Sequence, residues 1–521
     1  MVDSDVENLL LRPATYGLSP HAAVERIETH ASLVFLAGDR VYKLKKPVDF
    51  GFLDFTTLEK RRIVCEREVA LNRRTAPEIY LGVVPVRRLA AGLALGGGDG
   101  EIVEWLVEMR RFPAEGLFAR MADEGRLTRD EVEMLAADIE RFHRKAEVRR
   151  DFGGASAFAH IVEGNDLNLA DSAGRVFASS DLDALRGASD RAIARLSPLL
   201  DRRRAQGFVR HCHGDLHLGN VTLIDGRPVI FDCVEFSDEI ACIDILYDLA
   251  FLLMDLRLRE NGHARLAGFA NRALNVYFDH VAEESMADMI DGLALMPLFV
   301  ATRAAIRAKV TAVVADTEEK RAHARAYLDF ARVALSDMPP RVVAVGGLSG
   351  TGKSTLAKVL APHFGLIGAV HLRSDVIRKR LFNVSPLDRL PPEAYAPDVG
   401  ARVYDEMMTL GARALAAGFP VVFDAVFARE EERVQAERIA AGAGAAFEGL
   451  WLDAPANVLE ARVAARAAGA RDPSDADVAV LRRQLGYDLG HMRWRALDAR
   501  RGVEDMLSEA LHGGKGPRDA G

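Results

Sequence analysis

The sequence VVAVGGLSGTGKST spans residues 342–355 and joins an apolar run to a glycine-rich turn, after which a helical pattern begins. Residues 347–354 within it have the spacing G-x-x-x-x-G-K-S. Glycines let backbone N–H groups close around phosphate oxygens, and a helix N-terminus favours negative charge. The stretch therefore predicts a nucleotide site in which Lys353 reaches the β- and γ-phosphates and Ser354 binds Mg²⁺. The other loop residues that we expect to contact the nucleotide are Gly347, Ser349, Gly350, Thr351, Gly352 and Thr355.

Beyond this loop, apolar strand-like runs alternate with helical patterns: VHLRSD, VVFDAVF and FEGLWLD. Such alternation is typical of an α/β domain with a parallel sheet. We expect this domain to span residues 341–508. It follows a linker at Met338–Pro340, because the residue before a proline avoids the helical conformation. Residues 509–521 read as a disordered tail.

Charged residues after these runs indicate phosphoryl transfer. Asp375 follows the second run, where a carboxylate suits orientation of an acceptor hydroxyl, although a helix N-cap is the alternative. Asp424 ends the third run and is a candidate Mg²⁺ ligand. Arg462 and Arg466 lie one helical turn apart, with Arg471 beyond them. We expect these arginines to close over the transferring phosphoryl group, the alternative being an ordinary solvated helix face.

With these residues, the stretch from about 340 to 505 resembles the small P-loop kinases. That group includes gluconate kinase, chloramphenicol phosphotransferase, polynucleotide 5′-kinases and zeta-type toxins. The resemblance implies a P-loop kinase fold and a hydroxyl group as phosphate acceptor.

A second motif lies in the first half of the chain, where residues 213–220 read HGDLHLGN and Phe231-Asp232 ends a later apolar run. The spacing H-x-D-x-x-x-x-N followed by this aspartate matches the catalytic apparatus of kinase-type phosphotransferases. Asp215 suits deprotonation of an acceptor hydroxyl, while Asn220 and Asp232 offer oxygen ligands for Mg²⁺. A metal cluster of His211, His213, His217 and Cys212 is the less favoured interpretation, because no second ligand pair has zinc-like spacing.

This motif resembles that of the aminoglycoside phosphotransferase and choline kinase branch of the protein-kinase-like fold, over residues 20–335. The resemblance implies an α+β domain at residues 1–336 whose N-terminal strands hold ATP. By that analogy Lys43 contacts the phosphates and pairs with Glu68, with Lys45 and Glu66 as close rivals. Met109 is expected near the hinge that receives adenine. No GxGxxG loop precedes the lysine strand, which fits this branch and argues against a protein kinase.

Composition limits the remaining possibilities. The 521 residues suit two or three domains, and 49% hydrophobic with 28% charged residues is ordinary globular composition. A net charge of −8 argues against a general nucleic-acid or anionic-membrane binder but leaves a local basic groove open. The N-terminus lacks a signal-peptide pattern, and the four cysteines show no CxxC pairing. We therefore expect a cytoplasmic protein with no membrane span.

The two halves together resemble a bacterial family of fused aminoglycoside phosphotransferase-like and P-loop ATP-binding proteins. Our leading hypothesis is a bifunctional ATP- and Mg²⁺-dependent phosphotransferase that acts on hydroxyl groups of small molecules. In one alternative, one site is catalytic and the other senses nucleotide. In another, the P-loop half is a polynucleotide kinase or toxin-like module that the first half regulates. The sequence leaves the acceptors and the oligomeric state open.

Overall fold

A computed structural model describes residues 3–51, 53–172, 174–260, 262–467 and 474–512, without the side chains of residues 466 and 467. The strands are β1 Val24–Glu28, β2 Ser32–Ala37, β3 Arg40–Lys45, β4 Tyr80–Leu89, β5 Gly92–Leu95, β6 Glu101–Arg110, β7 Val209–His211, β8 Val221–Ile224, β9 Arg227–Ile230, β10 Cys242–Asp244, β11 Arg341–Gly347, β12 Val370–Arg373, β13 Val421–Asp424, β14 Ala446–Asp453 and β15 Arg495–Asp498. The α-helices are α1 Ser4–Leu10, α2 Leu58–Asn72, α3 Phe118–Asp123, α4 Arg129–Lys145, α5 Gly154–Ala170, α6 Ser179–Gln206, α7 Asp238–Ala241, α8 Ile245–Glu260, α9 Phe269–Asp279, α10 Glu283–Gly292, α11 Met296–Val313, α12 Glu318–Ala334, α13 Lys353–Leu360, α14 Ser374–Leu381, α15 Pro397–Ala416, α16 Glu430–Gly442, α17 Ala456–Ala467, α18 Val478–Gln484 and α19 Val503–His512.

The chain divides into two compact units. The first unit comprises Met1–Leu135, Phe142–His160 and Leu200–Asp255. The second comprises Ala136–Arg141, Ile161–Leu199 and Leu256–Gly521. The second unit thus contains the P-loop strands together with helices α9 to α12, which precede the predicted linker. The domain boundary near residue 340 stays a prediction.

The first unit is built on a six-stranded antiparallel sheet in the order β1-β2-β3-β6-β4-β5. Strands β2 and β3 form a hairpin that turns at Gly38-Asp39, with Gly38 at φ 62°, which glycine adopts without a Cβ clash. Helix α2 packs its buried residues Cys65 and Val69 against this sheet. The glycine-rich residues 90–100 contain the short strand β5.

The second unit contains a five-stranded, all-parallel sheet in the order β12-β13-β11-β14-β15. The central strand β11 is buried from Val342 to Gly347, because helices cover both faces of such a sheet. Strand β12 lies at one edge of the sheet. The architecture is therefore the predicted one, an α+β kinase-like fold followed by an α/β P-loop fold.

Three further features bear on the sequence predictions. The segment Glu283–Val313 is long and apolar enough to cross a membrane by length and composition, but it is mostly buried in the protein, as a core helix would be. All four cysteines are buried and free. The last helix, α19, extends to His512, so residues 509–512 of the predicted tail are helical and the rest lies outside the described residues.

Candidate active sites

The lysine strand of the first unit carries two buried ammonium groups on one face. Lys43 Nζ lies 2.8 Å from Glu68 Oε1 and 2.7 Å from Asp232 Oδ1. Lys45 Nζ lies 2.6 Å from Glu68 Oε2 and 2.5 Å from Glu235 Oε1. Residues two apart on a strand point to the same face, so one glutamate on helix α2 receives both lysines.

The structure separates the two glutamates that the sequence left as rivals. Glu68 is fully buried between the lysines, whereas the Glu66 side chain is 51% exposed and pairs with Arg62 on the same helix. Burial alone would raise the pKa of Glu68, but the charges and hydrogen bonds of Lys43 and Lys45 lower it to about 2. Burial raises the pKa of Glu235. Lys45 is therefore not a substitute for Lys43 but a second member of one network.

The hairpin of β8 and β9 brings the motif residues together. Asn220 precedes β8 and Asp232 follows β9, and the Phe231 N–H donates to the Asn220 carbonyl at 3.0 Å. The Asn220 amide nitrogen donates to the Asp215 carboxylate at 3.0 Å and to its backbone carbonyl at 2.9 Å. His217 Nε2 lies 3.4 Å from the same carboxylate. Asp215, Asn220 and Asp232 thus lie at one end of one hairpin.

A buried aspartate on helix α8 holds the loop that carries Asp215. The two oxygens of Asp248 accept the backbone N–H groups of His213 and Gly214, each at 3.0 Å. His143 Nε2 lies 3.1 Å from Asp248 Oδ2. Asp244, at the end of β10, pairs instead with the buried Arg203 at 2.7 Å. Asp248 is therefore the brace.

The histidines of the loop have separate partners rather than one metal-binding centre. His213 Nε2 lies 2.9 Å from the Phe231 carbonyl oxygen. Among the described residues, the groups with the spacing of metal ligands are His143 with Cys212 and Asp248, and His211 with Asp238 and Cys242. His213 and His217 belong to neither group. The less favoured metal-cluster interpretation of HCHGDLH gains no support from this geometry.

Met109 lies on β6 with its side chain in the apolar cluster beneath the sheet, which includes Val41 and Phe231. The strand continues to Arg110, whose N–H donates to the Ile79 carbonyl oxygen. Met109 is thus placed beside an apolar wall near the lysine strand. Its contact with adenine stays a prediction.

The donor set of the first unit fits a divalent cation with nucleotide phosphates. Asp232 and Asn220 present the oxygen atoms that Mg²⁺ prefers. The Lys43 ammonium already lies against the Asp232 carboxylate, so this position favours positive charge. The negative groups of the site are therefore compensated by lysines in this structure.

The phosphate loop of the second unit has the backbone that its glycines predict. Gly350 and Gly352 both have φ 86°, and Gly352 is the N-cap of helix α13. A Cβ at Gly350 would lie 2.9 Å from the Leu459 carbonyl oxygen, so only glycine fits. The Thr351 hydroxyl donates to the Leu348 carbonyl at 2.8 Å and fastens the turn. Together these contacts set the loop at the carboxyl end of β11.

A cavity of about 400 Å³ opens at this loop, within the usual range for nucleotide-sized ligands. It is lined by Gly350, Thr351, Gly352, Lys353, Ser354, Thr355, Arg462, Ala499, Arg501, Gly502, Val503 and Met506. The predicted Arg462 is therefore in place. Arg466 falls within helix α17, but its side chain, like the whole of Arg471, lies outside the described residues.

Sequence reasoning missed two contributions to this site. Gln484, buried at the end of α18, accepts the Ser349 N–H at 2.8 Å. Arg501 and Met506, near the start of α19, line the cavity. No motif marks these residues, because they reach the loop from 130 to 160 positions away in the chain.

Asp424 sits at the end of β13 in a buried, positively charged setting. His371 Nε2 lies 3.2 Å and Arg373 Nε 3.4 Å from Asp424 Oδ2. Burial alone would raise the pKa of Asp424, but the His371 hydrogen bond and the charges of Arg373 and Lys353 lower it. The aspartate is thus ionised near the loop lysine, which fits a ligand for Mg²⁺ or for its bound water.

Asp375 lies in the first turn of α14, and the N-cap position belongs to Arg373. Burial and a hydrogen bond to Asp475 raise the pKa of Tyr395, and the charge of Asp375 raises it further. Arg378 lies over the Tyr395 ring at 5.1 Å. Asp375 and Arg378 therefore both lie near Tyr395.

Comparison with known proteins identifies a family for each half of the chain. A family model described as "Phosphotransferase enzyme family" matches residues 62–286, and one described as "AAA domain" matches residues 342–487. Uncharacterized proteins of Mycobacterium tuberculosis and Mycobacterium bovis are 31% identical over 498 residues, covering 93% of this chain and 94% of each relative.

Two solved structures match different parts of the chain. A choline/ethanolamine kinase family protein from Mesorhizobium loti is 16% identical, with a TM-score of 0.37, and covers 62% of this chain and 93% of its own. A gluconokinase from Sinorhizobium meliloti is 22% identical, with a TM-score of 0.24, and covers 34% of this chain and 93% of its own. The near full-length mycobacterial matches and the two family models in this order show that the chain belongs to a bacterial family in which a phosphotransferase-enzyme domain is fused to a P-loop kinase domain.

Proposed function

We propose that this protein is a bifunctional ATP-dependent phosphotransferase that transfers the γ-phosphoryl group of ATP to hydroxyl groups of small molecules at two Mg²⁺-dependent sites. The observation that supports the proposal is that, in each half, residues expected to hold phosphate or metal lie close together, in the Lys43 and Asp215 networks of one half and in the cavity at Lys353 of the other. The residues to which we assign a role are Lys43, Glu68, Asp215, Asn220 and Asp232 in one half, and Lys353, Ser354, Asp375, Asp424 and Arg462 in the other.

In the first site, Asp215 would take the proton of the acceptor hydroxyl as the acceptor oxygen bonds to the γ-phosphorus. The bond between that phosphorus and the β–γ bridging oxygen breaks, and ADP leaves. Asn220 and Asp232 would hold Mg²⁺, which neutralises charge on the phosphates. Lys43, oriented by Glu68, would hold the phosphates.

In the second site, the loop amides, Lys353 and Ser354 would hold the nucleotide and its Mg²⁺, with Asp424 nearby. Asp375 would orient the acceptor hydroxyl. Arg462 lines the cavity and would neutralise the charge that develops on the transferring group. Arg466 keeps its proposed role as a second lid residue.

Small molecules are favoured over nucleic acid as acceptors of the second site. The basic residues of α14 already have partners within the protein, as Lys379 pairs with Asp475 and Arg380 donates to the Phe278 carbonyl. A polynucleotide channel needs basic side chains directed to phosphates. We also propose a cytoplasmic location, in keeping with four free thiols. Our second candidate remains a single kinase site with a nucleotide-sensing partner.

The test is a product assay with ATP and Mg²⁺ over sugars, amino alcohols, nucleosides, aminoglycosides and 5′-hydroxyl oligonucleotides. Wild-type protein is compared with the Asp215→Asn and Lys353→Ala variants. We expect each variant to abolish a different product or to stall at an intermediate. If one variant loses every product and the other loses none, the bifunctional proposal is wrong and the second candidate holds.

A further inference from the structure

We infer that helix α9, which lies within the phosphotransferase-family match, is a working part of the P-loop site. Its residues Asn271 and Asn275 are positioning residues that fasten the edge strand behind the metal-binding aspartate. The inference rests on the proposed function only in assuming that Mg²⁺ and nucleotide bind at Lys353. All of the residues involved belong to the second compact unit.

The side chains of α9 complete the open edge of the parallel sheet. Strand β12 lies at that edge, where backbone N–H and C=O groups have no neighbouring strand. Asn275 Oδ1 accepts the His371 N–H at 2.7 Å. The amide nitrogens of Asn271 and Asn275 both donate to the Ala369 carbonyl, at 2.9 and 3.1 Å. Two asparagines thus provide the hydrogen bonds that a further strand would make.

The asparagine pair is itself rigid and buried. Asn275 Nδ2 also lies 3.0 Å from the Asn271 carbonyl and 3.1 Å from its side-chain oxygen. Asn271 and Asn275 are 3% and 5% exposed. Buried amides with all their partners hold one geometry, because losing a partner leaves a desolvated polar group.

The loop before β12 is shaped to receive this helix. Gly368 has φ 90°, and a Cβ there would lie 2.3 Å from Asn271 Nδ2. Any other residue would therefore push the helix and the strand apart. At the start of the helix its N-cap Gly268 packs on Pro362, and near its end the Phe278 carbonyl accepts from Arg380 at 3.1 Å. Helix α9 is thus fixed to the P-loop fold at both ends and in the middle.

The fastened strand leads directly to the reacting groups. Asn275 accepts the backbone N–H of His371, whose ring Nε2 lies 3.2 Å from Asp424 Oδ2. Arg373 Nε lies 3.4 Å from the same oxygen. Asp375 follows two residues later. A shift of β12 would therefore move the groups that orient Asp424 and Asp375. Partners that orient a metal ligand in this way change metal affinity by about 10- to 100-fold when they are removed.

The experiment uses the full chain with Lys43→Ala in every sample, so that binding of a fluorescent ATP analogue reports the P-loop site alone. We measure the Mg²⁺ concentration for half-maximal binding and the binding stoichiometry. Asn275→Leu keeps the volume and removes the hydrogen bonds. Asn271→Leu removes one bond to Ala369 and the Asn271 side-chain oxygen that accepts from Asn275, but leaves the Asn275 bonds to His371 and Ala369 in place. Gly368→Ala separates helix and strand. The matched control is Asn168→Leu, an exposed asparagine on α5.

We expect Asn275→Leu to raise the half-maximal Mg²⁺ concentration about tenfold at unchanged stoichiometry, with smaller rises for Asn271→Leu and Gly368→Ala and none for Asn168→Leu. A merely structural role would instead lower the stoichiometry and leave the Mg²⁺ dependence as it was, which would overturn the inference. If Asn275→Leu does not fold, the other two variants decide by the same criterion.

Hydrogen exchange of the peptide spanning residues 369–376 separates this inference from the proposed function. We expect faster exchange in Asn275→Leu than in wild type, because the His371 N–H loses its acceptor. If wild type binds no nucleotide at Lys353, the proposed function of that site fails, and the exchange result still tests the fastening. Equal exchange in Asn275→Leu and wild type would overturn it.

Discussion

The two candidate sites differ in the groups that would bind phosphate and in whether those groups are already paired within the protein. In the first, ammonium and carboxylate groups neutralise one another: Glu68 lies between Lys43 and Lys45, and Lys43 also touches Asp232. In the second, the phosphate loop relies on backbone N–H groups and a helix N-terminus, and Lys353 has no ion pair with the residues that the structure describes. The first site must therefore exchange internal partners when nucleotide binds, whereas the second offers free donors beforehand.

From this difference we predict that the two sites tolerate substitution differently. Removing one member of a network of buried charges lowers the free energy of unfolding strongly, because the remaining charge is left buried and unpaired. A loop of backbone donors depends on its glycines and on the few side chains that fasten it. The predictions below test that contrast, from the largest expected effect to the smallest.

Asp215→Asn should lower turnover at the first site about 1,000-fold, because the acceptor hydroxyl loses its proton acceptor. Binding of nucleotide to either site should stay unchanged, since Asp215 is not among the groups that hold the phosphates. Single-turnover kinetics and nucleotide titration measure the two effects. Asp225→Asn, in the hairpin turn at φ 49°, is the matched control, as asparagine adopts this conformation readily. Equal losses in both variants would contradict the assignment.

Glu68→Gln should lower the free energy of unfolding of the first unit by about 3 kcal/mol, because two buried lysines lose a shared carboxylate. Glu66→Gln should change stability little, since that side chain is exposed. The pKa of Glu68 is lowered from 4.5 to about 2 in the folded protein. Its contribution is therefore complete above about pH 4.5 and is lost as the pH falls toward 2.

Denaturant titrations across this pH range measure the Glu68 effect. The difference in free energy of unfolding between wild type and Glu68→Gln should disappear as the pH falls toward 2. The free energy of unfolding of Glu66→Gln should equal that of wild type at every pH. A constant gap from pH 7 to pH 2 would show that Glu68 stabilises the fold by packing rather than by charge.

Lys353→Ala should weaken nucleotide binding to the second site about 100-fold, because the variant loses one strong charge-assisted contact with the phosphates. Lys358→Ala, on the same helix but outside the cavity lining, is the control. Titration of a labelled nucleotide in the Lys43→Ala background measures both. A Lys358 effect as large as the Lys353 effect would point to general electrostatic attraction instead.

Gln484→Ala should weaken binding at the second site about fivefold, because one hydrogen bond that positions the loop contributes about 1 kcal/mol. The Ser349 N–H then loses its acceptor, and the loop becomes less ordered before nucleotide arrives. Gln435→Ala on α16 serves as the comparison variant. If Gln484→Ala binds as tightly as wild type, the loop is held by its glycines and Thr351 alone.

Sequence reasoning reached the second site more completely than the first. The loop from Gly347 to Thr355 is contiguous, so its spacing alone predicts a phosphate-binding turn and a helix start. Its distant supports, Gln484 and Arg501, carry no motif and were missed. In the first site the spacing predicted Asp215, Asn220 and Asp232, while the choice between Glu68 and Glu66 required the packing of helix α2.

By itself, the amino-acid sequence determined the phosphate loop, the α/β class of the second half and the spacing of Asp215, Asn220 and Asp232, because these depend on local spacing and strand or helix periodicity. The α+β class of the first half followed from the resemblance that its motif carries. Only the tertiary structure decided that Lys45 and Glu235 join the network of Lys43, that Asp248 braces the Asp215 loop, and that helix α9 completes the edge of the P-loop sheet. Each of these depends on contacts between residues about 35 to 190 positions apart, whose partners are chosen by burial and hydrogen-bond satisfaction rather than by any local pattern.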